Sequence, residues 1–309
     1  MNTKVSKTFW IILVVVLECL LCFGCVKADE PETNELYRHV ETNELYMHIS
    51  VDDTIAIFED INNNQHTYSS IFDNELLGYF KTLHDKYGIV VSFYCFYENN
   101  QQTFNLSQMT TKFQSDFQEN ADWMRFGFHG RNENIKYSEV SAEESYQDYT
   151  QLTSALLKIT GSTECLDNVV RLHYYAGTSE NISVMASANN GIIGLLSADD
   201  DRLSYYLDEE QNSLLRTNDI YIDKNTGMLF TPTDLRMENI TNIQRELSKF
   251  KTQPFERRIY PFIVFTHEWI LSRRNVKHTL EECILYFFNR EYDFAFPEDR
   301  MEDSTEPYQ

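Results

Sequence analysis

The sequence predicts an α/β fold of the (β/α)-barrel type, in a single domain that follows an N-terminal leader. Strand-like and helix-like patterns alternate about seven times along the chain, as in a barrel of parallel strands and outer helices. Some apolar runs, such as Ile89 to Phe96, are nearly continuous, which is typical of strands covered on both faces. Polar side chains follow most of these strands, and strand ends converge on one face of a barrel.

Residues 1–28 have the pattern of an export signal, either a signal peptide or a lipoprotein leader. Two lysines precede an apolar run that Glu18 interrupts, so we do not expect a transmembrane helix there. The segment 26–28 resembles a signal peptidase site, and Cys25 offers lipoprotein processing as the alternative. We expect an exported protein, secreted or anchored at the cell surface, that meets membranes only through a lipid anchor or an uncleaved leader.

A duplicated segment and an acidic end of the chain indicate the other domain boundaries. Residues 29–44 are predicted to form a linker, because the segments 32–37 and 41–46 have the same six-residue sequence. Two copies are too few for a repeat architecture. The barrel is expected over residues 45–300, and an acidic tail over residues 301–309.

Charge and cysteine content exclude several classes of partner and site. The chain has 309 residues and a formal net charge of −22, which argues against nucleic acid and anionic membrane surfaces as partners. Beyond the leader only Cys95, Cys165 and Cys283 remain, too few and too widely spaced for a disulfide framework or a zinc finger. Cys95 is predicted to be a buried thiol. A disulfide between Cys165 and Cys283 is an open alternative.

The first strand, in the stretch Tyr46 to Thr54, delivers two adjacent carboxylates to its C-terminal end. Its residues alternate between apolar and polar, the period of a strand. Successive strand residues point to opposite sides, so Asp52 and Asp53 are expected to differ in role, one holding a metal and the other moving a proton. The alternative for this pair is a plain turn after a strand.

The other elements follow from spacing, caps and stops. Helices are predicted from Ile71 to Leu83 with a stop at Gly88, after Ser107, from a capping box at Ser141 and Glu144 to a stop at Gly161, and over 180–188, 240–250 and 279–289. Strands are predicted over 89–96, 123–128, 169–175, 191–196, 262–265 and 293–296. The segment 202–260 is otherwise irregular.

Chemically capable side chains stand at the ends of five predicted strands. They are Asp52 and Asp53, His129, Arg171 and His173, Asp199 and Asp200, and His267. A single histidine at a strand end is more often structural than catalytic. Five such ends in one barrel instead predict a common site.

In order and spacing these motifs resemble those of the polysaccharide deacetylase superfamily, over roughly residues 45–300. The resemblance implies a deformed (β/α)7 barrel and a divalent metal, commonly zinc, that activates water to hydrolyse an N-acetyl group. It implies that Asp52 is the general base and that Arg171 orients it. It further implies that His267 is the general acid.

For the metal, the resemblance implies Asp53 and His129 as ligands. The family usually has a second histidine four residues after the first, and here that position is Glu133. Because carboxylate oxygens also bind zinc, Glu133 is one candidate for the third ligand, and His173 at a neighbouring strand end is the other.

Three further groups each have a functional and a structural interpretation. Asp199 to Asp201 either tune the site histidine or form a solvated acidic loop. Asp234, Arg236 and Glu238 either line the site or form a surface ion-pair turn. Trp269 either stacks on a sugar ring or packs in the core.

The expected function is therefore that of a hydrolase acting on carbon–nitrogen bonds other than peptide bonds. It would remove N-acetyl or O-acetyl groups from a carbohydrate by means of metal-activated water. The alternative is a barrel that has lost catalysis and binds carbohydrate at the surface. A glycosidase is a poorer interpretation, because adjacent Asp52 and Asp53 are badly placed to flank a glycosidic bond.

Overall fold

In the described part of the chain the strands form two sheets, and seven of the parallel strands form the barrel. The computed structural model describes residues 46–218, 221–250 and 262–301. The strands described there are β1 (Tyr46–Thr54), β2 (Val91–Phe96), β3 (Met124–Gly130), β4 (Val169–Val170), β5 (Gly194–Leu196), β6 (Tyr221–Ile222), β7 (Leu229–Thr231), β8 (Leu235–Arg236), β9 (Phe262–His267) and β10 (Asp293–Phe294). The helices are α1 (Ala56–Asn63), α2 (Glu75–Tyr87), α3 (Gln114–Gln118), α4 (Ala142–Thr160), α5 (Ser179–Ala186), α6 (Glu209–Asn218), α7 (Ile243–Phe250), α8 (Arg274–Phe288) and α9 (Pro297–Met301). The predicted leader 1–28, the linker 29–44 and residues 302–309 of the predicted tail lie outside the described residues, so those domain boundaries stay predictions.

The strand order is that of an interrupted barrel. The first sheet has the order β3-β2-β1-β9-β8, with β10 beside the start of β1, and all its pairs are parallel. The second has the order β4-β5-β7-β6, in which only β6 is antiparallel. On one side an isolated parallel bridge joins Phe126 of β3 to Leu166, shortly before β4 begins. On the other side β7 leads into β8, and the Thr233 hydroxyl donates to the carbonyl of Ser197 at 2.6 Å. With β1 to β5, β7 and β9 as its strands, this is the deformed (β/α)7-type barrel that the sequence predicted.

Strand β1 lies at the centre of the first sheet and is buried on both faces. Its odd-numbered residues from Met47 to Val51 belong to the hydrophobic core. On the opposite face Ser50 and Asp52 both bind Arg171, which follows β4 in the second sheet. Because strand side chains alternate, the polar face of β1 lies toward the barrel interior and the apolar face toward the helices.

The predicted helix ends are largely confirmed. Gly88 and Gly161 end α2 and α4 with φ values of 69° and 75°, a left-handed conformation that glycine adopts without strain. The Ser141 hydroxyl accepts the amide of Glu144 at 3.2 Å and so caps α4. The α2 helix begins later than predicted, because Asn74 caps it and the preceding residues form a separate 3₁₀ turn. The helices predicted at 180–188, 240–250 and 279–289 appear, with shifted ends, as α5, α7 and α8.

Two element predictions were wrong. Ser107 does not cap a helix: Asn105 caps a 3₁₀ turn over Leu106–Gln108, and only the five-residue α3 follows. The strand predicted over 169–175 ends at Val170, the end of β4. Helices α1, α6 and α9 and strands β6, β7 and β8 were not predicted, because they are short or lie in polar segments.

The cysteines carry no bridge in the described part of the chain. Cys95, Cys165 and Cys283 are free and buried, so the Cys165–Cys283 bridge is not formed and Cys95 is the buried thiol predicted for it. No helix within the described ranges is both long and apolar enough to span a bilayer.

Candidate metal centre

Three ligand-bearing side chains meet at the C-terminal ends of the barrel strands. Asp53 lies at the end of β1, His129 in β3, and His173 just beyond β4. His129 Nε2 lies 3.1 Å from Asp53 Oδ1, and His173 Nδ1 lies 3.5 Å from the same oxygen. The two imidazole nitrogens are 3.1 Å apart. Among the described residues, this is the group of histidine, cysteine and acidic side chains whose spacing could hold a metal ion.

The hydrogen bonding of the triad Asp53–His129–His173 fits a bound cation. His129 Nδ1 lies 2.5 Å from the carbonyl oxygen of Arg171. Because a carbonyl can only accept, Nδ1 donates to it, and Nε2 is the ring nitrogen that faces Asp53. Asp53 Oδ1 is buried and has no hydrogen-bond partner. Two imidazole nitrogens and one carboxylate are a ligand set that zinc and other divalent transition metals bind.

The charge states favour the same interpretation. Burial alone would raise the pKa of Asp53, but the two adjacent histidines lower it well below its usual value. Burial holds the pKa of His173 below its usual value, against the opposing effect of Asp53. The triad thus presents an ionised carboxylate and a neutral imidazole, the forms that bind metals.

A local distortion of β1 brings Asp52 and Asp53 to the same site. In a regular strand their side chains would point to opposite faces. Instead the pairing with β2 shifts register between Val51 and Thr54, and Asp53 has a φ of 62°. A left-handed conformation in a residue other than glycine costs about 1–3 kcal/mol, and such strain often marks functional sites. The two carboxylates have separate partners, since Asp52 contacts Arg171 and Asp53 contacts the histidines, and their different roles stay a prediction.

His173 reaches the triad through a strained turn. It begins a 3₁₀ turn, His173–Tyr175, in which Tyr174 and Tyr175 have φ values of 61° and 56°. The amide of Tyr175 donates to the carbonyl of Leu172 at 2.9 Å and closes the turn. The chain therefore leaves the strand direction after β4, and His173 faces Asp53.

Glu133 is not brought to the triad. It follows β3 on an exposed loop and is absent from the group that could hold a metal. Of the two candidates for the third ligand, the structure places His173 beside Asp53 and His129.

The Asp52–Arg171 pair lies beneath the triad, deep in the barrel. Arg171 is 1% exposed, and its Nη1 donates to Asp52 Oδ1 at 2.8 Å and to the Ser50 hydroxyl at 2.9 Å. Nη2 donates to the Thr233 hydroxyl at 3.0 Å. Burial would lower the pKa of Arg171, but Asp52 and nearby tyrosines raise it above its usual value. The carboxylate of Asp52 is thus paired and fixed in orientation.

A second charged pair, His267–Glu238, completes the site. His267 ends β9 and is the cross-strand partner of Asp52. Its Nδ1 forms a short hydrogen bond with Glu238, which lies in the 3₁₀ turn after β8. Burial would lower the pKa of His267, but Glu238, Asp52 and Asp53 together raise it above its usual value. Of the two interpretations for Glu238, the structure supports the one that places it at the site.

The neighbouring acidic residues have other partners. Asp199 pairs with Arg236 at 2.6 Å and accepts from the Tyr175 hydroxyl at 3.2 Å. Asp200 and Asp201 pair with arginines on the exposed surface. Asp234 accepts from the amide of Ile263 at 2.8 Å. The carboxylate beside the site histidine is therefore Glu238 and not a member of the 199–201 run.

The two residues that follow His267, Glu268 and Trp269, each make a specific contact. Glu268 is half-buried and accepts the amides of Ile55, Ala56 and Ile57 at 2.7–3.0 Å, so it caps α1 from the end of β9. Trp269 is 60% exposed, and its indole N–H donates to Asp53 Oδ2 at 3.0 Å. The core-packing interpretation of Trp269 is therefore wrong.

Comparison with solved structures finds chains of similar fold at low sequence identity. The chain is similar to the structure of a putative polysaccharide deacetylase from Mycobacterium smegmatis, with 8% identity, 88% of this chain and 98% of that chain covered, and a TM-score of 0.52. A family 4 acetyl xylan esterase from Clostridium thermocellum in complex with a cobalt ion is also similar, with 10% identity, coverage of 83% and 90%, and a TM-score of 0.47. A peptidoglycan deacetylase from Bacillus subtilis has 12% identity, coverage of 84% and 92%, and a TM-score of 0.41. No protein-family model and no curated protein matches the sequence. The resemblance predicted from the motifs is confirmed at the level of the fold.

Proposed function

We propose that this protein is an exported, metal-dependent hydrolase that removes N-acetyl or O-acetyl groups from a carbohydrate. The observation that carries the proposal is the buried, unpartnered Oδ1 of Asp53 between two imidazole nitrogens, with both charged pairs beside it. The similarity of the fold to a putative polysaccharide deacetylase supports it. The leader pattern in residues 1–28 supports export, and the net charge of −22 favours a neutral substrate over nucleic acid.

Asp53, His129 and His173 would hold the divalent cation, and zinc is the first choice because it binds imidazole and carboxylate together. When bound, such an ion polarises a carbonyl oxygen and lowers the pKa of a water molecule. Trp269 donates to the other oxygen of Asp53, so Oδ1 remains for the cation.

The two charged pairs would move the protons. Asp52 accepts a proton from the attacking water, and Arg171 fixes the carboxylate and supplies its counter-charge. His267, with its raised pKa, donates a proton to the departing nitrogen or oxygen. Asp52 and His267 are cross-strand partners in the β1–β9 register, which supports a base and an acid that act on one bound group.

The proposal is tested by metal analysis and acetate release with one purified preparation. We expect about one zinc ion per chain and acetate release from N-acetylglucosamine oligomers or acetylated xylan. Asp52→Asn should retain zinc and lower kcat by about 10²–10⁴-fold, because a general base contributes about that much. The control Asp201→Asn removes a fully exposed carboxylate and should leave kcat unchanged.

Each other result has a defined meaning. A chain that binds no divalent ion would exclude the metal-dependent hydrolase. A chain that binds zinc and carbohydrate but never releases acetate would instead be the non-catalytic carbohydrate-binding barrel.

The pH profile should depend on Glu238. Its carboxylate, together with Asp52 and Asp53, raises the pKa of His267, so the imidazolium persists to higher pH than a free histidine would. Activity that needs this proton is lost as the pH rises through that pKa. In Glu238→Gln the alkaline limb of the kcat profile should move down by about one pH unit, because one opposite charge is removed.

The His267–Glu238 pair also stabilises the fold, and this stabilisation, like the activity, is lost as the pH rises. A pKa raised in the folded state stabilises the fold below the unfolded value and loses this effect as the pH rises through the folded value. The free energy of unfolding of the wild type should therefore fall more than that of Glu238→Gln over this range. An unchanged alkaline limb in Glu238→Gln would show that His267 is not the proton donor.

A further inference from the structure

A carboxylate at the end of β9 binds the first turn of α1. Glu268 is half-buried, and its two oxygens accept three consecutive backbone amides. Oε2 accepts the amides of Ile55 and Ala56 at 3.0 and 2.9 Å. Oε1 accepts the amide of Ile57 at 2.7 Å. One side chain thus fixes three residues that lie 211 to 213 positions earlier in the sequence.

These bonds replace a cap that the local sequence does not supply. The N-cap position of α1 is Ile55, whose side chain makes no capping hydrogen bond. Serine, threonine, aspartate or asparagine usually occupies this position, because their side-chain oxygens accept the free amides of the first turn. A charged carboxylate is a stronger acceptor, and it is favoured at the positive end of a helix. The start of α1 is therefore tied to the end of β9 and not to its own sequence.

The residues held in this way follow directly on a strained residue of the triad. Asp53, two residues before Ile55, has a φ of 62°, and the β1–β2 register shifts in the same place. Strain of this kind persists only where the surrounding contacts impose it. On the side of β2, the Thr54 hydroxyl donates to the carbonyl of Tyr94 at 2.9 Å. On the side of β9, Glu268 holds the next three amides, so the bend has an anchor on each neighbouring strand.

We propose that Glu268 is a positioning residue for the metal centre. By fixing the chain after Thr54, it keeps the backbone of Asp53 in the left-handed conformation that turns Oδ1 toward the two histidines. The inference rests on the proposed function and adds to it a residue that acts through Asp53 without being a ligand. Outer residues of this kind typically change metal affinity by about 10–100-fold when they are removed.

The place of Glu268 in the chain has a second consequence. It is the residue after His267, the proposed proton donor, so one turn holds both the donor and the strand end that carries Asp53. The pairing of β9 with β1 ends at the Asp52–His267 pair, and the bonds of Glu268 continue the connection beyond it. Loss of these bonds should therefore lower kcat even when the site is saturated with zinc.

The experiment compares Glu268→Ala and Glu268→Gln with the control Ser141→Ala. The Ser141 hydroxyl caps α4, so the control weakens a helix cap outside the triad. Competition with a chelator measures zinc affinity. The visible absorption of the cobalt(II)-loaded chains reports the ligands around the metal, and thermal unfolding measures the loss of stability that a cap alone would explain.

All three variants should have a lower Tm than the wild type, because each weakens a helix cap. Only the variants of Glu268 should also bind zinc more weakly and change the cobalt spectrum. We expect a loss of zinc affinity of about tenfold or more in Glu268→Ala. In Glu268→Gln the loss should be smaller, at about threefold or more, because the amide keeps one oxygen acceptor but cannot accept all three amides.

A lower Tm with zinc affinity and cobalt spectrum unchanged in both variants of Glu268 would overturn the proposal and leave a plain helix cap. An equal loss of zinc affinity in Ser141→Ala would overturn it as well, because the effect would then be general destabilisation. If Glu268→Ala does not fold, judged by circular dichroism, Glu268→Gln decides by the same measurements.

Failure of the proposed function gives a different result. A wild type that binds neither zinc nor cobalt would exclude the metal centre itself and the role of Glu268 with it. A wild type that binds zinc but releases no acetate would exclude the hydrolase and leave the positioning role in place.

Discussion

Replacing His173 by glutamine should lower zinc affinity by about 100-fold or more, whereas Glu133→Gln should leave it unchanged. His173 Nδ1 lies 3.5 Å from Asp53 Oδ1 and 3.1 Å from His129 Nε2, so it would supply one of the three ligand atoms of the proposed site. Loss of a direct ligand exceeds the roughly 10–100-fold effect of losing an outer partner of a metal site. Glu133 is exposed and outside the triad, and it provides the matched control in the chain position where the family has its histidine.

The measurement is a zinc titration in competition with a chelator, with thermal unfolding of the same samples. A ligand that binds only the folded chain stabilises it by RT ln(1 + [L]/Kd). Zinc should therefore raise the Tm of the wild type and of Glu133→Gln, and should raise that of His173→Gln far less. Loss of zinc binding in Glu133→Gln, with zinc binding retained in His173→Gln, would return Glu133 to the ligand set and remove His173 from it.

The sequence could predict the site residues that stand at the ends of long, apolar strands. Asp52, Asp53 and His267 follow or end β1 and β9, where the strand pattern is strong, and parallel strand ends meet on one face of a barrel. The order of the motifs also predicted the fold. Local hydrophobic pattern was sufficient here because these strands are long and lie in the middle of the first sheet.

The route by which His173 reaches the triad could not be predicted. The segment 169–175 has a strand pattern, yet only Val169 and Val170 pair, and the chain then turns through two residues with positive φ. Such conformations depend on tertiary contacts, among them the Tyr175 hydroxyl bond to Asp199. For the same reason the bend at Asp53, which lets adjacent aspartates serve one site, is invisible to a period-two pattern.

The short second sheet explains the other omissions. Strand β7 has three residues and pairs with β5 and β6. Because β5 is distant in sequence and β6 has only two residues, the local pattern does not predict this pairing. Glu238 lies in a polar segment whose composition fits a surface turn equally well. Only the fold brings it to His267, 29 residues further along the chain.

Replacing Arg171 by methionine should destabilise the protein by about 3–5 kcal/mol, the usual cost of removing one partner from a buried ion pair. Arg171 is 1% exposed, and in the variant Asp52 would remain buried without its counter-charge. The Ser50 and Thr233 hydroxyls would lose a donor as well. The Phe265 ring, whose centroid lies 4.2 Å from the guanidinium carbon, would lose a cation–π contact. Urea unfolding followed by circular dichroism measures the loss.

The double variant Asp52→Leu with Arg171→Met separates the unpaired charge from the loss of packing. Because replacing both members of a buried pair by apolar residues is often neutral or stabilising, the double variant should recover most of the stability lost in Arg171→Met. It should have no hydrolase activity, since the proton acceptor is gone. If instead the single variant is nearly as stable as the wild type, the buried pair is not what fixes Asp52, and the orientation of the base must come from its backbone alone.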